Sequence, residues 1–416
     1  MKKYDSYKDS GVDWIGEIPS NWEKTRLRFT GRLYGGLTGK SGDDFNQDDN
    51  PNNKPYIPYT NIFNNTYISK NHFHYVVLQE GEKQNKVKKF DMFFLMSSET
   101  HQDLGKPCIL IEDVDELYLN SFCKGFRIDK DYLNPLFLNY QLLGQVHKEL
   151  ISVEGRGFTR INLRQDRLNN SPLFIPPKHE QQQIVQFLDT KTSLIDTLIE
   201  KTQRKIELLK EKRTSLINHV VTKGLNPNVE MKDSGVEWIG NIPCHWEIGK
   251  LKNYSNLKIS SVDKHILEEE RKVIVCNYTD VYYNEFITSK LELRKGSCSE
   301  NEYTNFLLNK GDVIITKDSE SPTDIGVPSL VNDDLDNVVC GYHLSIIKPH
   351  KTKLVGNYLF RQLQTKRIRS YFEITSNGIT RFGLGKSSVL ETILILPPYS
   401  EQQQIVEYLD EQTQII

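Results

Sequence analysis

Three features of the sequence predict an α+β protein with a pseudo-twofold internal repeat: two similar globules, each followed by a long coiled-coil helix. The opening DSGVDWIGEIPSNWE (9–23) returns as DSGVEWIGNIPCHWE (233–247), identical at eleven of fifteen positions. IPPKHEQQQIVQFLDTKTSLI (175–195) returns as LPPYSEQQQIVEYLDEQTQII (396–416), identical at twelve of 21. Between these ends lie β-rich runs, and after the first IPP the chain runs from Glu180 to Val221 without Gly or Pro.

The repeat sets the domain organisation. Fainter matches keep a displacement near 221: Gly157–Arg160 (GFTR) answers Gly378–Arg381 (GITR), and Asp91 answers Asp312. YTNIFNNTYI (59–68) resembles YTDVYYNEFI (278–287). Each copy is about 220 residues, large enough for its own core, and 416 residues suit two or three domains. The expected division is 1–178 for the first globule, 179–222 for a central helix, 223–232 for a linker, 233–398 for the second globule and 399–416 for the start of a distal helix. Shared ends with divergent middles suggest one scaffold carrying two different surfaces.

Within a copy, KVIVCNYTDVYY, GDVIITK and HLSIIK read as strands between Gly, Pro and Asn punctuation. NPLFLNYQLLGQVHKEL and KLVGNYLFRQLQTKRIRSYF carry apolar residues at helical spacing. In the Gly- and Pro-free run, Val185, Leu188, Thr192, Ile195, Ile199, Thr202, Ile206, Leu209, Arg213, Leu216 and Val220 alternate spacings of 3 and 4, and eight of these eleven are apolar. That is a heptad seam needing a partner helix. The run stops at Lys223-Gly224 and Pro227. Its 42 residues make a rod of roughly 63 Å. Leu188, Ile195, Ile199, Ile206, Leu209, Leu216 and Val220 are the expected coiled-coil or subunit interface. The distal copy reaches Ile416 sixteen residues after Ser400, so it is expected to be a shortened counterpart.

Composition bounds the function class. Hydrophobic content is 37%, charged content 26%, and four Trp, 20 Tyr and 18 Phe supply core material for a globular protein. No apolar run approaches the ~18 residues of a membrane helix, and MKKYDSYKDS lacks the apolar segment of a secretory signal. Six cysteines without a CxxC pair read as reduced thiols, and a cytoplasmic protein is expected. The net charge of −2 announces no polyanion, but a DNA binder needs only a local basic surface.

Catalytic motifs are missing from the linear pattern. GGLTGKS (35–41) would need Gly at position 34 for a phosphate loop, and Tyr34 is there. LPPY (396–399) lacks the Asn of an amino-methyltransferase tetrapeptide, its counterpart is IPPK, and it reads as a helix-start turn. No Gly-rich S-adenosylmethionine loop is seen, and His72 with His74 has no second ligand pair. No nucleophile–base–orienter set is visible in the linear order.

Locally basic stretches remain. Residues 24–40 carry five Lys/Arg and no acid, 361–386 six against one acid, and 148–167 five against three. Any one could be a solvated face; their recurrence at matching places in both copies favours a DNA surface. The candidate DNA-binding residues are Arg32, Lys40, Ser41, Thr60, Asn61, Arg156, Thr159, Arg160, Lys258, Thr279, Asp280, Lys317, Thr380 and Arg381. Lys40, Thr60, Asn61, Thr279 and Asp280 are expected to read bases, and Arg156, Arg160 and Arg381 to clamp phosphates.

The DSGVxWIGxIPxxW openings, the IPP/LPP-x-x-EQQQIVxxLD helix starts and the GxTR segments before them resemble the specificity (S) subunits of type I restriction-modification systems, in order, twice, across essentially the whole chain. The resemblance implies two target recognition domains, each reading half of a bipartite asymmetric double-stranded DNA site, and antiparallel helices that set the unread gap. It implies two methylation (M) subunits that bring S-adenosylmethionine and flip an adenine in each half-site. Two restriction (R) subunits would bring ATP and Mg. The chain itself is expected to be non-catalytic, to hold no cofactor or metal, and to meet no membrane. In the family the distal helix runs as far as the central one, so here Ile206, Leu209, Leu216 and Val220 are expected to be covered by methylation subunits or a second S chain. Trp14, Ile15, Ile18 and Trp22 are expected to anchor each globule's start, the four tryptophans serving as core or interface residues. The rival readings are a nuclease with an undetected site and a coiled-coil scaffold for RNA or protein.

Overall fold

The computed structural model describes residues 4–12, 15–45, 47, 50–157 and 159–415; Trp14 and Ile416 lie outside them. It comprises two compact units, Met1–Ile199 and Glu200–Ile416.

The repeated opening is a two-stranded hairpin in each unit: Tyr7–Asp9 against Glu17–Pro19, and Met231–Asp233 against Asn241–Pro243. The DSG triplet makes the turn. Asp9 Oδ1 accepts from the Gly11 amide at 2.8 Å, and Asp233 Oδ1 from the Gly235 amide at 2.9 Å. Both glycines sit at positive φ, 64° and 72°, where a β-carbon is disfavoured. Ile18 and Ile242 then turn into the cores.

The EQQQ segment locks that opening in place. Trp22 Nε1 donates to Glu180 Oε1 at 3.1 Å, and Trp246 Nε1 to Glu401 Oε2 at 3.0 Å. The next residue clamps a loop by its amide. Gln181 Nε2 donates to the Tyr132 and Pro176 carbonyls while Oε1 accepts from Asn134 N; Gln402 does the same to Lys353, Pro397 and Val355. Strand pairs close each unit end to end: Glu23–Arg26 with Pro172–Ile175, and Glu247–Lys250 with Ile393–Leu396. The two repeated ends of each copy are thus halves of one lock.

Between the ends lie the main sheets. In the first unit the larger is four-stranded, in the order Gly31–Gly35, Cys123–Ile128, Met92–Leu95 and Pro107–Ile109. In the second it has five strands: Ser255–Ile259, Leu344–Pro349, Val313–Thr316, Pro328–Val331 and Phe286–Ile287. Asp91 and Asp312 are equivalent: each is buried and accepts a turn amide, from Lys88 and Asn309. Each also meets a cation, Arg127 or Lys348.

The two expected amphipathic helices are each broken. Pro135–Leu143 and Gln145–Glu154 are separated by Gly144 (φ −62°, ψ 150°), and Gly356–Leu363 and Lys366–Thr375 by Gln364 and Thr365, whose hydroxyl accepts from Ile368 N.

Buried in the first unit's second half-helix is His147, 5% exposed, its Nε2 without a partner, beside a cavity of about 140 Å³. The same position of the second unit holds Ile368, also buried. Burial pulls the His147 imidazolium down to about 4, against about 6.5 in an unfolded chain. Unfolding therefore takes up a proton between these values, so stability falls as pH drops from about 6.5 and the loss is complete below about 4. The full loss is about 3 kcal/mol. Thermal melts from pH 7 to 4.5 should show this slope in the first unit and a shallower one after His147→Ile; equal slopes would refute the assignment.

The central helix is one element, Lys178–Lys223, of 46 residues, or roughly 69 Å. It stops at Gly224, whose φ is +80°. Val185 belongs to the first unit's core. Correcting the expectation for the seam, Leu216 and Val220 do not wait for a partner chain: Val220 is 3% exposed in the second unit's core with Ile217 and Val221, and Leu216 packs against it. Leu188 and Leu209 are half-buried, whereas Ile195, Ile199 and Ile206 are exposed, with Leu194, Leu198 and Leu208 beside them. No helix among the described residues is long and apolar enough to cross a membrane.

Candidate nucleic-acid interface

The GxTR segments are hairpin tips. Arg156 and Asn162 exchange two backbone hydrogen bonds, as do Asn377 and Gly383, closing the loops between them. Gly157 and Gly378 have φ of 134° and 147°. A β-carbon there would sit 2.1 and 2.0 Å from the carbonyl oxygens of Arg160 and Arg381, so the tip admits only glycine. Thr159, Arg160, Thr380 and Arg381 are exposed, and Ile379 is 93% exposed.

Each tip is carried on a short ladder. Ile161–Asn162 pairs with Ser97–Ser98, and Phe382–Gly383 with Asp318–Ser319. The helix from the YTN or YTD motif comes to the same place. Tyr59–Asn64 starts with Tyr59, whose hydroxyl donates to the Ser97 carbonyl at 3.0 Å. Burial pushes its hydroxyl up, opposed by a hydrogen bond with Ser98 and the charge of Arg160. Tyr278, which starts Tyr278–Tyr283, is also raised by burial and opposed by Ser319 and Arg381. Both phenols stay neutral and can donate. Strand pairing sets Ser98 against Ile161, next to Arg160, and Ser319 against Phe382, next to Arg381; Tyr59 bonds the Ser97 carbonyl, and Tyr278 lines the cavity of His343, which Arg381 approaches. A Tyr, a Ser and an Arg from three separate segments thus come together in each unit, with Thr60 and Thr279 exposed on the first helical turn.

Around this common cluster the two units differ. In the first, the Arg160 guanidinium stands 5.4 Å from the ring of Phe122, which is 57% exposed. In the second, the matching residue is His343. Its Nδ1 lies 2.7 Å from Asp318 Oδ2, and Arg381 Nη2 is 3.1 Å from the same nitrogen. Lys317 Nζ donates to Asp318 Oδ2 at 2.8 Å. Burial raises the Asp318 carboxyl, but the bonds from Lys317 and His343 outweigh it and hold it below the usual range, so it is ionised. A cavity of about 590 Å³ opens beside His343, lined also by Tyr278, Thr279, Tyr342 and Arg294.

The other candidates are engaged locally. Asn61 is 1% exposed, donating its amide to the Ser69 and His72 carbonyls, so it shapes a loop and presents no edge to a base. Lys40 is tied to Glu82 at 2.6 Å and Ser41 caps the turn Gly42–Asp44. Asp280 caps its helix through Asn277 N at 2.7 Å. Lys258 Nζ donates to Asn305, the Arg156 guanidinium to the Val153 and Gly155 carbonyls, and Arg32 is exposed on its strand opposite Arg127. Tyr59, Ser98, Phe122, Tyr278, Asp318, Ser319 and His343 were not anticipated. Carrying the displacement of 221 through the divergent middles, where Ser98 meets Ser319 and Phe122 meets His343, would have found most of them. Among the described residues, no group of three or more His, Cys, Asp and Glu is arranged for a metal ion.

Comparison with known proteins gives consistent matches. The family model for the type I restriction modification DNA specificity domain matches residues 19–208 and 246–416. The chain is 22% identical over 412 residues to the EcoKI specificity subunit of Escherichia coli K12, covering 95% of this chain and 83% of that one. It is 20% identical over 401 residues to the StySPI specificity subunit of Salmonella potsdam, with the same coverages. Among solved structures, the HsdS subunit from Thermoanaerobacter tengcongensis superposes with a TM-score of 0.57 at 15% identity, over 95% of this chain and 90% of that one. A chain from a study of complex assembly and conformational transition of the type I R-M system reaches 0.68 at 15%, over 95% and 91%.

Proposed function

Because the chain belongs to the type I restriction-modification specificity subunits, whose work is DNA sequence recognition, we propose that each unit reads one half of a split, asymmetric site. The observation that carries this is the Tyr–Ser–Arg cluster, built twice from the same three segments and surrounded by different side chains. The chain is itself non-catalytic and works in the cytoplasm. Two methylation subunits dock on it and supply S-adenosylmethionine; two restriction subunits supply ATP and Mg chemistry. The exposed middle of the central helix is the spacer that fixes the gap, and Ile195, Ile199, Ile206 and their neighbours form the face a partner covers.

Selection from a randomised duplex library by the purified complex with its methylation subunit tests this. It should enrich one split word of two short halves and a constant gap. A scaffold without sequence preference would enrich none. In the same assay, Arg160→Ala or Arg381→Ala should weaken binding to all duplexes alike and reduce the salt dependence by about one counterion each, as loss of a phosphate contact does. Loss confined to one base position would make these residues readers instead.

A further inference from the structure

We infer that Phe122 in the first unit, and Asp318 with His343 in the second, are the specificity-determining residues, mounted on the Tyr–Ser–Arg frame that both units share. This rests on the reading of the units as DNA readers. The frame is the same in both, so it cannot distinguish two half-sites. Phe122 and His343 occupy equivalent positions, 221 residues apart, directly beside the frame: Phe122 lies under the Arg160 guanidinium, and Asp318, bonded to His343, precedes Ser319 on the ladder strand. Their chemistry is opposite. Phe122 presents an exposed apolar ring, suited to a thymine methyl or a base face, and asks for no hydrogen bond.

Asp318 presents an ionised carboxylate. Its bonds from Lys317 and His343 both fall on Oδ2, and among the described residues none falls on Oδ1. A carboxylate accepts only. It therefore favours a base edge with an exocyclic amino group, cytosine N4 or adenine N6, and rejects the keto oxygens of guanine and thymine. His343 holds the carboxylate in this pose at a cost: its φ of 72° is rare for a residue with a side chain. Backbone outliers of this kind gather at functional sites. Among the described residues, the strained position is peculiar to the second unit, whereas the outliers Glu116 and Asn337 recur in both.

The test is to co-express the full chain with its methylation subunit and map methylated adenines in host DNA by single-molecule sequencing. For Asp318→Asn, whose amide can both donate and accept, we expect one position in one half-word to relax from amino bases to include keto bases, by roughly tenfold or more, with the other half-word and the gap unchanged. For Asp318→Ser with His343→Phe, that half-word should change again while the other stays. The intact half-word reports that the variant is folded. An unaltered word in both variants overturns the inference, as does reduced methylation with an unaltered word, which is what a merely structural ion pair would give. If the double variant methylates nothing, Asp318→Asn decides alone, and its loss of all methylation would likewise count against a reader. Absence of any split word in the unsubstituted complex would instead bring down the DNA-reading assignment itself.

Discussion

Replacing Trp246 by alanine should lower the stability of the second unit by about 3–5 kcal/mol, the cost of deleting a fully buried aromatic, and leave the first unit's melting unchanged. Trp246 is 0% exposed, sits in the core with Ile242, Val221 and Ile395, and supplies the indole N–H that Glu401 accepts. The variant leaves a cavity and strips a donor from a partly buried carboxylate, both destabilising. Trp22 makes the same bond to Glu180 but is only half-buried. Trp22→Ala should therefore cost about 1–2 kcal/mol. Denaturant titrations followed by probes in each unit would check the pair. Equal losses would mean that the hydrogen bond, not the packing, carries the motif.

Inserting four residues into the exposed middle of the central helix, between Glu200 and Ile206, should change the gap of the recognised site without changing either half-word. Four residues add about 6 Å and about 40° of rotation, up to about two base-pair rises of 3.4 Å. Inserting two residues turns everything beyond them by about 200° and should abolish methylation. This stretch can accept the change locally, because residues 189–208 are exposed throughout. An unchanged gap with full activity would show that the helix is not the spacer.

Much of this fold was legible because its anchors are polar and repeat in both copies. The DSG turns, the Ile-Pro strands and the EQQQ helix starts repeat almost letter for letter, and several of their letters make the same bond in both copies: Asp9 to Gly11 as Asp233 to Gly235, Trp22 to Glu180 as Trp246 to Glu401, Gln181 and Gln402 each to three backbone groups. The seam of the central helix was read as uniform, yet its C-terminal part is swallowed by the second unit's core. Heptad spacing shows that a face is apolar, not which neighbour covers it. Trp238 is 51% exposed, beneath the Arg367 guanidinium at 5.4 Å, whereas Trp246 is fully buried, so the two tryptophans of that motif do not share a burial. Both half-helix breaks were missed; only Gly144 carried a signal.

The candidate site was half legible. The GxTR arginines and the Thr60 and Thr279 helices were found through repetition, but their convergence depends on strand pairs such as Ile161 with Ser98, which no local pattern reveals. Asn61 and Asp280 occupy equivalent places and looked like readers; both are spent on the backbone. Phe122 and His343 escaped because a position that differs between copies leaves no repeated signature. In a protein whose two surfaces must differ, those are the positions that matter most.

The most direct test of the central claim is the methylation map of host DNA carrying this chain with its methylation subunit. The account predicts adenine methylation at one asymmetric word, two short halves separated by a constant unread gap. Methylation at a single uninterrupted or palindromic word, or none although a stable complex forms, would contradict it.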